Sequence, residues 1–219
     1  METREVTIPV VEGGLAADVI MPAGAAGVVL FAHGSGSSRH SPRNVAVAHQ
    51  LNARSLGTVL VDLLTPDEDV LDARTAELRF DIGMLAERLA AIVDWMGDDP
   101  SLGPLPVGLF GASTGAAAAL VAASARPDRV AAVVSRGGRP DLAGSALSAV
   151  RAPTLLLVGG LDEEVIVLNE QARSELGEVA ELRIVPGATH LFEEPGALDQ
   201  VADQAGAWFT SHLRTPHPA

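Results

Sequence analysis

The sequence contains no cysteine and no tyrosine, and aromatic residues make up only 3% of its 219 residues. The absence of cysteine excludes disulfides, thiolate nucleophiles and cysteine-ligated zinc sites. The shortage of aromatics requires a core built from Ala, Val, Leu and Ile, which is attainable because 47% of the residues are hydrophobic. A chain of this length fits one domain. We therefore expect a single domain over residues 1–214 and a loose tail over residues 215–219.

Long apolar runs and positive charge are also scarce. The apolar run 28–32 is far shorter than a membrane span of about 20 residues, and segment 1–6 lacks the basic and apolar parts of a signal peptide. Acidic residues outnumber basic ones by 28 to 15, which gives a formal net charge of −13. Such a surface repels phosphate backbones and anionic membranes. The composition predicts a cytoplasmic protein that acts on a small molecule, with no nucleic acid or membrane partner; a monomer and a homodimer both remain open.

Short apolar runs alternate with helical patterns, which indicates βαβ units around a mostly parallel sheet. The predicted strands cover residues 6–10, 17–21, 28–32, 58–63, 107–110, 130–134, 154–158 and 182–185. The predicted helices cover residues 41–54, 75–96, 114–125, 142–149, 164–176 and 195–213. The first two strands leave no room for a crossover helix and should be antiparallel. We expect about eight strands with helices on both faces and no lid domain, because no block of extra helices follows residue 134.

An acidic stretch, Thr65-Pro-Asp-Glu-Asp-Val-Leu-Asp72, lies between the fourth predicted strand and the second predicted helix. Its composition favours an exposed loop, in a position to form one wall of a substrate pocket. Its carboxylates do not have a ligand spacing that indicates a metal site.

The sequence Gly111-Ala-Ser113-Thr-Gly115 matches the pattern G-x-S-x-G between a predicted strand and a predicted helix. In that context the pattern places a serine on a strained turn, with its hydroxyl above the sheet edge. The helix N-terminus that follows favours a developing negative charge. We interpret Ser113 as a nucleophile, whereas an isolated Gly/Ser motif would often be an ordinary turn.

Two further motifs supply a base and an acid in the order that this architecture uses, serine, then acid, then histidine. His190 follows the last predicted strand, and Asp162 follows the strand before it. An aspartate in that position holds the imidazole tautomer and stabilises its charged form. Asp162 could instead cap the next helix, and Asp141, which follows the preceding strand, is a competing acid. The sequence favours Asp162.

The segment His33-Gly34-Ser35-Gly36 follows the first long parallel strand. Its backbone can direct an amide N–H into the site, where it would form an oxyanion hole with the amide of Thr114. We expect the amide of Ser35 to be this second oxyanion donor, with the amide of Gly34 as the alternative. The segment has neither the lysine of a phosphate-binding loop nor the spacing of a dinucleotide fingerprint. His33 is more typical of a structural hydrogen-bonding residue than of a base.

Three arginines are predicted in loops at the carboxyl ends of strands, where open α/β sheets bind ligands. They are Arg39, Arg136 and Arg139. One or more of them could bind a substrate carboxylate, but structural pairing with the many acidic side chains is the more ordinary explanation.

On these motifs the chain resembles the α/β-hydrolase superfamily, and within it the compact dienelactone hydrolase-like proteins. The similar parts are His33-Gly-Ser-Gly, Gly111-Ala-Ser-Thr-Gly, Gly160-Leu-Asp162 and Gly187-Ala-Thr-His190, and segments 33–44 and 135–141 also look like uncharacterised bacterial hydrolases of this branch. The resemblance covers essentially the whole chain and implies an esterase-like activity. Dienelactone hydrolase proper has a cysteine where this chain has Ser113, so the resemblance does not extend to the dienelactone substrate.

Together these residues predict the hydrolysis of carboxylic esters with small to medium acyl groups, through an acyl-enzyme and without a cofactor or metal ion. A thioesterase, an amidase or a perhydrolase would use the same triad and differ only in the pocket. A non-catalytic small-molecule binder on a hydrolase fold is the alternative of a different class. Such proteins commonly lose a triad residue, whereas this chain has all three in order.

Overall fold

A computed structural model describes residues 2–213 of the chain, which form one eight-stranded sheet in the order β1-β2-β4-β3-β5-β6-β7-β8. The strands are β1 (Glu2–Ile8), β2 (Leu15–Met21), β3 (Val28–Ala32), β4 (Gly57–Val61), β5 (Val107–Ala112), β6 (Val130–Arg136), β7 (Thr154–Gly159) and β8 (Ala180–Val185). β2 is antiparallel to both β1 and β4, and the remaining pairs are parallel. This topology confirms the predicted fold class.

The described residues also form six α-helices: α1 (Pro42–Ala53), α2 (Pro66–Thr75), α3 (Ile82–Asp98), α4 (Thr114–Ala125), α5 (Glu163–Leu176) and α6 (Ala197–His212). α1 and α6 contribute to the hydrophobic cluster on one face of the sheet, and α3, α4 and α5 contribute to the cluster on the other. Strand β5 is buried along its whole length, as expected for a central parallel strand covered on both sides.

The nucleophile candidate depends on how closely α4 packs against the sheet. Its sequence is rich in alanine, and nine of its residues are buried: Thr114, Gly115, Ala116, Ala117, Ala118, Ala119, Leu120, Ala122 and Ala123. Small side chains let the helix axis approach the strands, and alanine has the highest helix propensity. The helix therefore begins directly where β5 ends, with a single residue, Ser113, between them.

The acidic stretch is not the exposed loop that its composition favours, because most of it forms helix α2. Thr65 accepts a hydrogen bond from the Glu68 N–H through its side chain, and the Glu68 carboxylate accepts one from the Thr65 N–H at 2.8 Å. This reciprocal capping box, with Pro66 as the first helical residue, satisfies N–H groups that would otherwise lack partners. The acidic first turn also suits the positive end of the helix dipole.

Helix α2 is attached to α3 by a buried arginine. Arg88 is 8% exposed and donates to the Leu63 carbonyl at 2.7 Å. It also makes two hydrogen bonds to the Glu68 carboxylate, at 2.8 and 2.5 Å. Charge-assisted bidentate pairs are among the stronger protein hydrogen bonds, so this contact holds α2 over the sheet edge.

The predicted helix 75–96 is wrong at its start. The chain leaves α2 at Ala76 with a left-handed backbone, forms a 3₁₀ turn over Leu78–Phe80, and starts α3 only at Ile82. Asp81 caps α3 by accepting from the Met84 N–H at 2.9 Å. Leu78 and Ile82 are four residues apart in the sequence, so the apolar periodicity extends across this break and conceals it.

Other boundaries differ less. The predicted helix 142–149 is a 3₁₀ segment over Pro140–Ala149, interrupted at Gly144, and the last helix begins at Ala197 and not at residue 195. Ser41 caps α1 by accepting a hydrogen bond from the Asn44 N–H. The predicted tail 215–219 lies outside the described residues. Within residues 2–213 there is no helix of sufficient length and hydrophobicity to cross a lipid bilayer.

Replacing Glu68 with Gln should destabilise the protein at neutral pH by about 1–2 kcal/mol, because the Arg88 pair is lost. Hydrogen bonding to Arg88 lowers the pKa of Glu68 from 4.5 to about 2. A lowered carboxyl pKa stabilises the fold above pH 4.5, and that contribution disappears as the pH falls toward 2.

The measurement is urea denaturation of both proteins between pH 7 and pH 2.5, where the difference should shrink steadily below pH 4.5. The control is Glu87→Gln on the exposed side of α3, which should change little at any pH. A Glu68→Gln difference that stays constant with pH would contradict the assignment.

Candidate active site

Ser113 occupies a backbone conformation that most residues avoid. Its φ is 52° and its ψ is −123°, between the end of β5 and the start of α4. For a residue with a Cβ this conformation costs on the order of 1–3 kcal/mol, and such strain clusters at functional sites. The side chain is left partly exposed at the carboxyl edge of the sheet.

The segment that follows β6 holds this turn in place. The Ser113 N–H donates to the Arg136 carbonyl at 3.3 Å, and the Ser113 carbonyl accepts from the Arg139 N–H at 3.1 Å. Both backbone groups of the strained residue are therefore satisfied by one neighbouring loop. That pairing compensates in part for the unfavourable dihedral angles.

Two glycines make the close approach possible. A Cβ added at Gly111 would lie 2.4 Å from the Ala116 Cα, and one added at Gly115 would lie 2.4 Å from the Ala32 carbonyl oxygen. Both distances are far below van der Waals contact, and the opposing atoms are backbone. Any residue with a side chain at either glycine of the motif G-x-S-x-G would therefore clash with the backbone in this chain.

His190 and Asp162 form a direct pair. The His190 Nδ1 lies 2.6 Å from an oxygen of the Asp162 carboxylate. Asp162 stands at the N-cap position of α5, but its side chain does not cap that helix. The competing acid, Asp141, makes a bidentate pair with Arg139 at 2.8 and 2.7 Å. Of the two carboxylates, only Asp162 contacts the imidazole.

The loop that carries His190 is fixed on both sides. Just before it, the backbone N–H and the hydroxyl of Thr189 donate to the Glu194 carboxylate, at 3.0 and 2.6 Å. Just after it, Phe192 is buried with a positive φ of 56°. A histidine on a loop constrained in this way has a restricted range of positions, which suits a group that must meet a reacting atom.

The same β6 loop brings Ser113 and His190 to one place. Gly137 follows the residue that accepts the Ser113 N–H, and a Cβ on Gly137 would lie 3.7 Å from the His190 Cε1. Among residues 2–213 the Ser113 hydroxyl and His190 are not joined by a hydrogen bond. Catalytic hydrogen bonds are often long without a ligand and tighten when substrate binds.

His33 orients the candidate oxyanion loop. Its Nε2 accepts from the Leu63 N–H at 3.1 Å, which requires the proton on Nδ1, and Nδ1 lies 3.0 Å from the Gly34 carbonyl. Burial lowers the pKa of His33 and so favours this neutral form. Because C=O and N–H point in opposite directions across a trans peptide, fixing the Gly34 carbonyl also fixes the Ser35 N–H.

The two amides expected to hold an oxyanion have no partner within the protein. In the part of the chain that the structure describes, neither the Thr114 N–H nor the Ser35 N–H donates a hydrogen bond. Gly34 adjoins the nucleophile candidate, since a Cβ on it would lie 3.0 Å from the Ser113 Cβ. These donors remain available to a ligand beside Ser113.

A pocket next to these amides has walls that the sequence interpretation partly missed. It is lined by the segment from His33 to Ser37, by Thr114, and by Asp69, Asp72 and Arg79 of the α2 region. Arg79 donates from Nε to the Asp72 carboxylate at 2.6 Å. The stretch 65–72 thus forms a pocket wall, as its position suggested, but does so as a helix.

The three arginines singled out from the sequence have different surroundings. Arg39 is paired with both Asp62 and Asp18, and Arg139 is paired with Asp141. Arg136 is 7% exposed, and two of its three guanidinium nitrogens lack a hydrogen-bond partner. The first two are neutralised by neighbours, and the third is not.

The sheet order, the turn at Ser113 and the histidine–aspartate pair together define an α/β-hydrolase fold. Residues 44–211 match the model of the Dienelactone hydrolase family, and the chain belongs to that family.

Solved structures agree with this assignment. The crystal structure of a dienelactone hydrolase from Anabaena variabilis superposes on this chain with a TM-score of 0.93, and the two sequences are 55% identical. The match covers 98% of this chain and 100% of that one. Carboxyl esterase 2 from Tuber melanosporum is 18% identical, with a TM-score of 0.74 over 97% of this chain and 88% of that one, and it shares the fold. Both structures share the α/β-hydrolase fold of this chain.

Two strains of Mycobacterium tuberculosis each have a relative that is 51% identical over 218 residues. These proteins bear the provisional name phosphoribosyl transferase. The match covers 99% of this chain and 48% of each relative, so the chain spans about half the length of the curated relatives it matches.

The strain at Ser113 is testable without a substrate. The Ser113→Gly protein should be more stable than Ser113→Ala by about 1 kcal/mol, because both lack the hydroxyl and only glycine adopts a φ of 52° freely. The same comparison at Ser124, inside α4, should have the opposite sign, with glycine less stable by about 1 kcal/mol. Free energies of unfolding in urea give both differences. If alanine is the more stable replacement at both positions, the turn is not strained.

Proposed function

We propose that the protein is a serine hydrolase that cleaves carboxylic esters with Ser113 as nucleophile, His190 as general base and Asp162 as the acid that orients it. The observation that carries the proposal is the 2.6 Å contact between His190 and Asp162, on loops adjoining the strained Ser113 turn. A buried structural ion pair would not require a serine with a positive φ beside it. A metal-dependent hydrolase would need a ligand cluster, and residues 2–213 contain no group of three or more His, Asp or Glu arranged to hold a metal.

The proposed reaction has two halves. His190 takes the Ser113 proton while the oxygen attacks the ester carbonyl, and the amides of Thr114 and Ser35 donate to the oxyanion. His190 then gives that proton to the leaving alkoxide, which leaves an acyl-enzyme. In the second half His190 deprotonates a water that attacks the acyl group, and Ser113 is released as the alcohol. Asp162 accepts from Nδ1 throughout and stabilises the imidazolium.

Apolar side chains beside the triad favour an ester over a fully polar substrate. Leu161, next to Asp162, is 64% exposed, and Leu191, next to His190, is 40% exposed. We expect these leucines, each adjacent in the sequence to a residue of the proposed triad, to contact the acyl or alcohol chain. A thioester would fit the same surface, so the comparison of ester and thioester turnover belongs to the first kinetic panel.

The transferase name of the mycobacterial relatives does not change this proposal. That name is given to proteins about twice as long as the segment they share with this chain. Phosphoribosyl transfer does not need a serine nucleophile, whereas the strained turn at Ser113 and the contact between His190 and Asp162 support hydrolysis. We therefore propose hydrolysis for this chain and do not extend the phosphoribosyl transferase name to it.

The first experiment is labelling with a fluorophosphonate, followed by mass spectrometry of the adduct. We expect one adduct, on Ser113, because an activated serine attacks the phosphorus without regard to the natural substrate. Labelling should be absent in Ser113→Ala and strongly slowed in His190→Ala. A folded protein that gains no adduct would refute the serine-hydrolase proposal and favour the binding-protein alternative.

The choice of acid is tested by a matched pair of substitutions. Asp162→Asn should lower kcat on 4-nitrophenyl acetate by about 10³–10⁴-fold, because an amide there stabilises the wrong imidazole tautomer. Asp141→Asn, which breaks only the surface pair with Arg139, should stay within about threefold of the wild type. The reverse order of effects would assign the acid to Asp141.

The role of His33 as a positioning residue is tested by His33→Phe and His33→Asn. Phenylalanine keeps a ring but loses both hydrogen bonds, so the Ser35 amide loses its fixed direction and kcat should fall by about 10²-fold with KM nearly unchanged. Asparagine can still donate to the Gly34 carbonyl and should recover part of the loss.

The readout specific to this role is the affinity of a trifluoromethyl ketone inhibitor, whose adduct carries an oxyanion. It should weaken in parallel with kcat across the two variants, while the unfolding temperature does not follow the same order. Inhibitor affinity that is unchanged in His33→Phe would show that His33 does not act on the oxyanion hole.

A further inference from the structure

A buried cation without a counter-ion lies beside the proposed triad. Arg136 ends β6 and its side chain is nine-tenths buried, at 7% exposure. Its Nε and Nη1 have no hydrogen-bond partner, and its Nη2 reaches the Asn44 side-chain oxygen only at a long 3.5 Å. In the described part of the chain, none of the ion pairs includes Arg136. Most buried polar groups in proteins have partners, so two unsatisfied donors on one guanidinium call for an explanation.

Loss of a proton does not remove this charge. Burial, and then the neighbouring charge of Arg43, lower the pKa of Arg136 to about 10. The guanidinium is therefore still protonated at neutral pH. An unpaired charge in a protein interior is strongly unfavourable, and an anion that enters from outside is the simplest group that would compensate it.

The surroundings of Arg136 are positive on several sides. Arg43 lies in the first turn of α1, and its own Nε is buried without a partner, although its Nη1 pairs with the exposed Glu193 at 3.2 Å. The first turn of α1 contains no acidic residue, in contrast to α2, and the positive end of the helix dipole adds to the potential. In a chain with a net charge of −13, a site of this sign is a local exception.

The position of Arg136 ties the site to the reaction centre. Its carbonyl accepts the N–H of Ser113 at 3.3 Å, and the ring of Phe192, two residues after His190, lies 6.0 Å from its guanidinium. An anion bound by Arg136 would therefore lie close to the backbone that holds Ser113 and to the loop that carries His190. Neither Arg39 nor Arg139 offers this, because their carboxylate partners already occupy them.

We propose that Arg136, with Arg43 beside it, binds an oxyanion group of the substrate, a carboxylate or a phosphate, so that the hydrolase acts on esters that carry a negative charge. This inference rests on the proposed function for its role in catalysis, but the binding of the anion does not. A guanidinium presents paired N–H donors that match both groups.

Binding is measured first, in the Ser113→Ala protein, so that no turnover is needed. Succinate and inorganic phosphate are titrated by calorimetry at constant ionic strength, and the tighter of the two identifies the preferred anion. Arg136→Met, which keeps the length and apolar stem of the side chain, should weaken that binding at least tenfold. Arg139→Met is the matched control and should bind as the parent does.

The unfolding temperature separates a ligand site from a structural role. Without added anion, Arg136→Met should be at least as stable as its parent, because a buried unpaired charge has been removed. A large fall in stability would show that the charge supports the fold, and would overturn the proposal. Failure of both anions to bind the parent protein would overturn it as well.

Kinetics then connect the site to the substrate. Monoethyl adipate and ethyl hexanoate differ at the end remote from the ester, where one has a carboxylate, and a pH-stat follows both. Arg136→Met should lower kcat/KM for monoethyl adipate at least tenfold and leave ethyl hexanoate within about twofold. Equal losses on both esters would refute the subsite while leaving the hydrolase intact. Anion binding in a protein that hydrolyses neither ester would refute the proposed function instead.

Discussion

The close approach of α4 to the sheet at Ser113 is the constraint on which the rest of the site depends. One residue separates β5 from α4, so the chain must reverse within a single pair of dihedral angles. That is possible only because glycines at positions 111 and 115 and alanines along the helix leave no side chain in the way. This backbone conformation leaves the serine side chain partly exposed at the sheet edge.

This constraint extends to the partners of Ser113. Arg136, the last residue of β6, and the loop that follows it satisfy both backbone groups of the strained residue, and the same loop lies against His190. A change in this segment would therefore act on the candidate nucleophile, the candidate base and the candidate anion site together. Preorganisation here is a property of one packed segment and not of separate residues.

Much of this arrangement could be predicted from the sequence because the relevant signals are local. The motif around Ser113 and the alternation of strands and helices are short patterns with a steric cause. The sequence could favour Asp162 over Asp141 as the acid but could not exclude Asp141, since both follow a parallel strand. What separates them in the structure is a partner: His190, 28 residues away, for the first, and Arg139, two residues away, for the second.

Helix α2 shows a different kind of error. The start signal was present, because Thr65 and Glu68 have the spacing of a capping box and proline stands at the first helical position. The acidic composition of the stretch favours an exposed loop and so conceals that local pattern. The stabilising contact with Arg88 comes from 20 residues further along the chain, and composition contains no information about such pairs. The break before α3 was concealed for the opposite reason, since the apolar period continues through it.

The unequal pairing of the arginines follows from the same long-range effects, and it bears on specificity. A strongly acidic chain has carboxylates to spare, and Arg39 and Arg139 both find one. Arg136 finds none, and its guanidinium is surrounded by the Phe192 ring, the Asn44 side-chain oxygen and the positive charge of Arg43. An unpaired charge could be removed by a single substitution to an apolar residue, so its presence beside Ser113 requires a compensating interaction. In our proposal the anion is part of the substrate, because a permanently bound ion would give no reason for the cation to lie beside the candidate nucleophile.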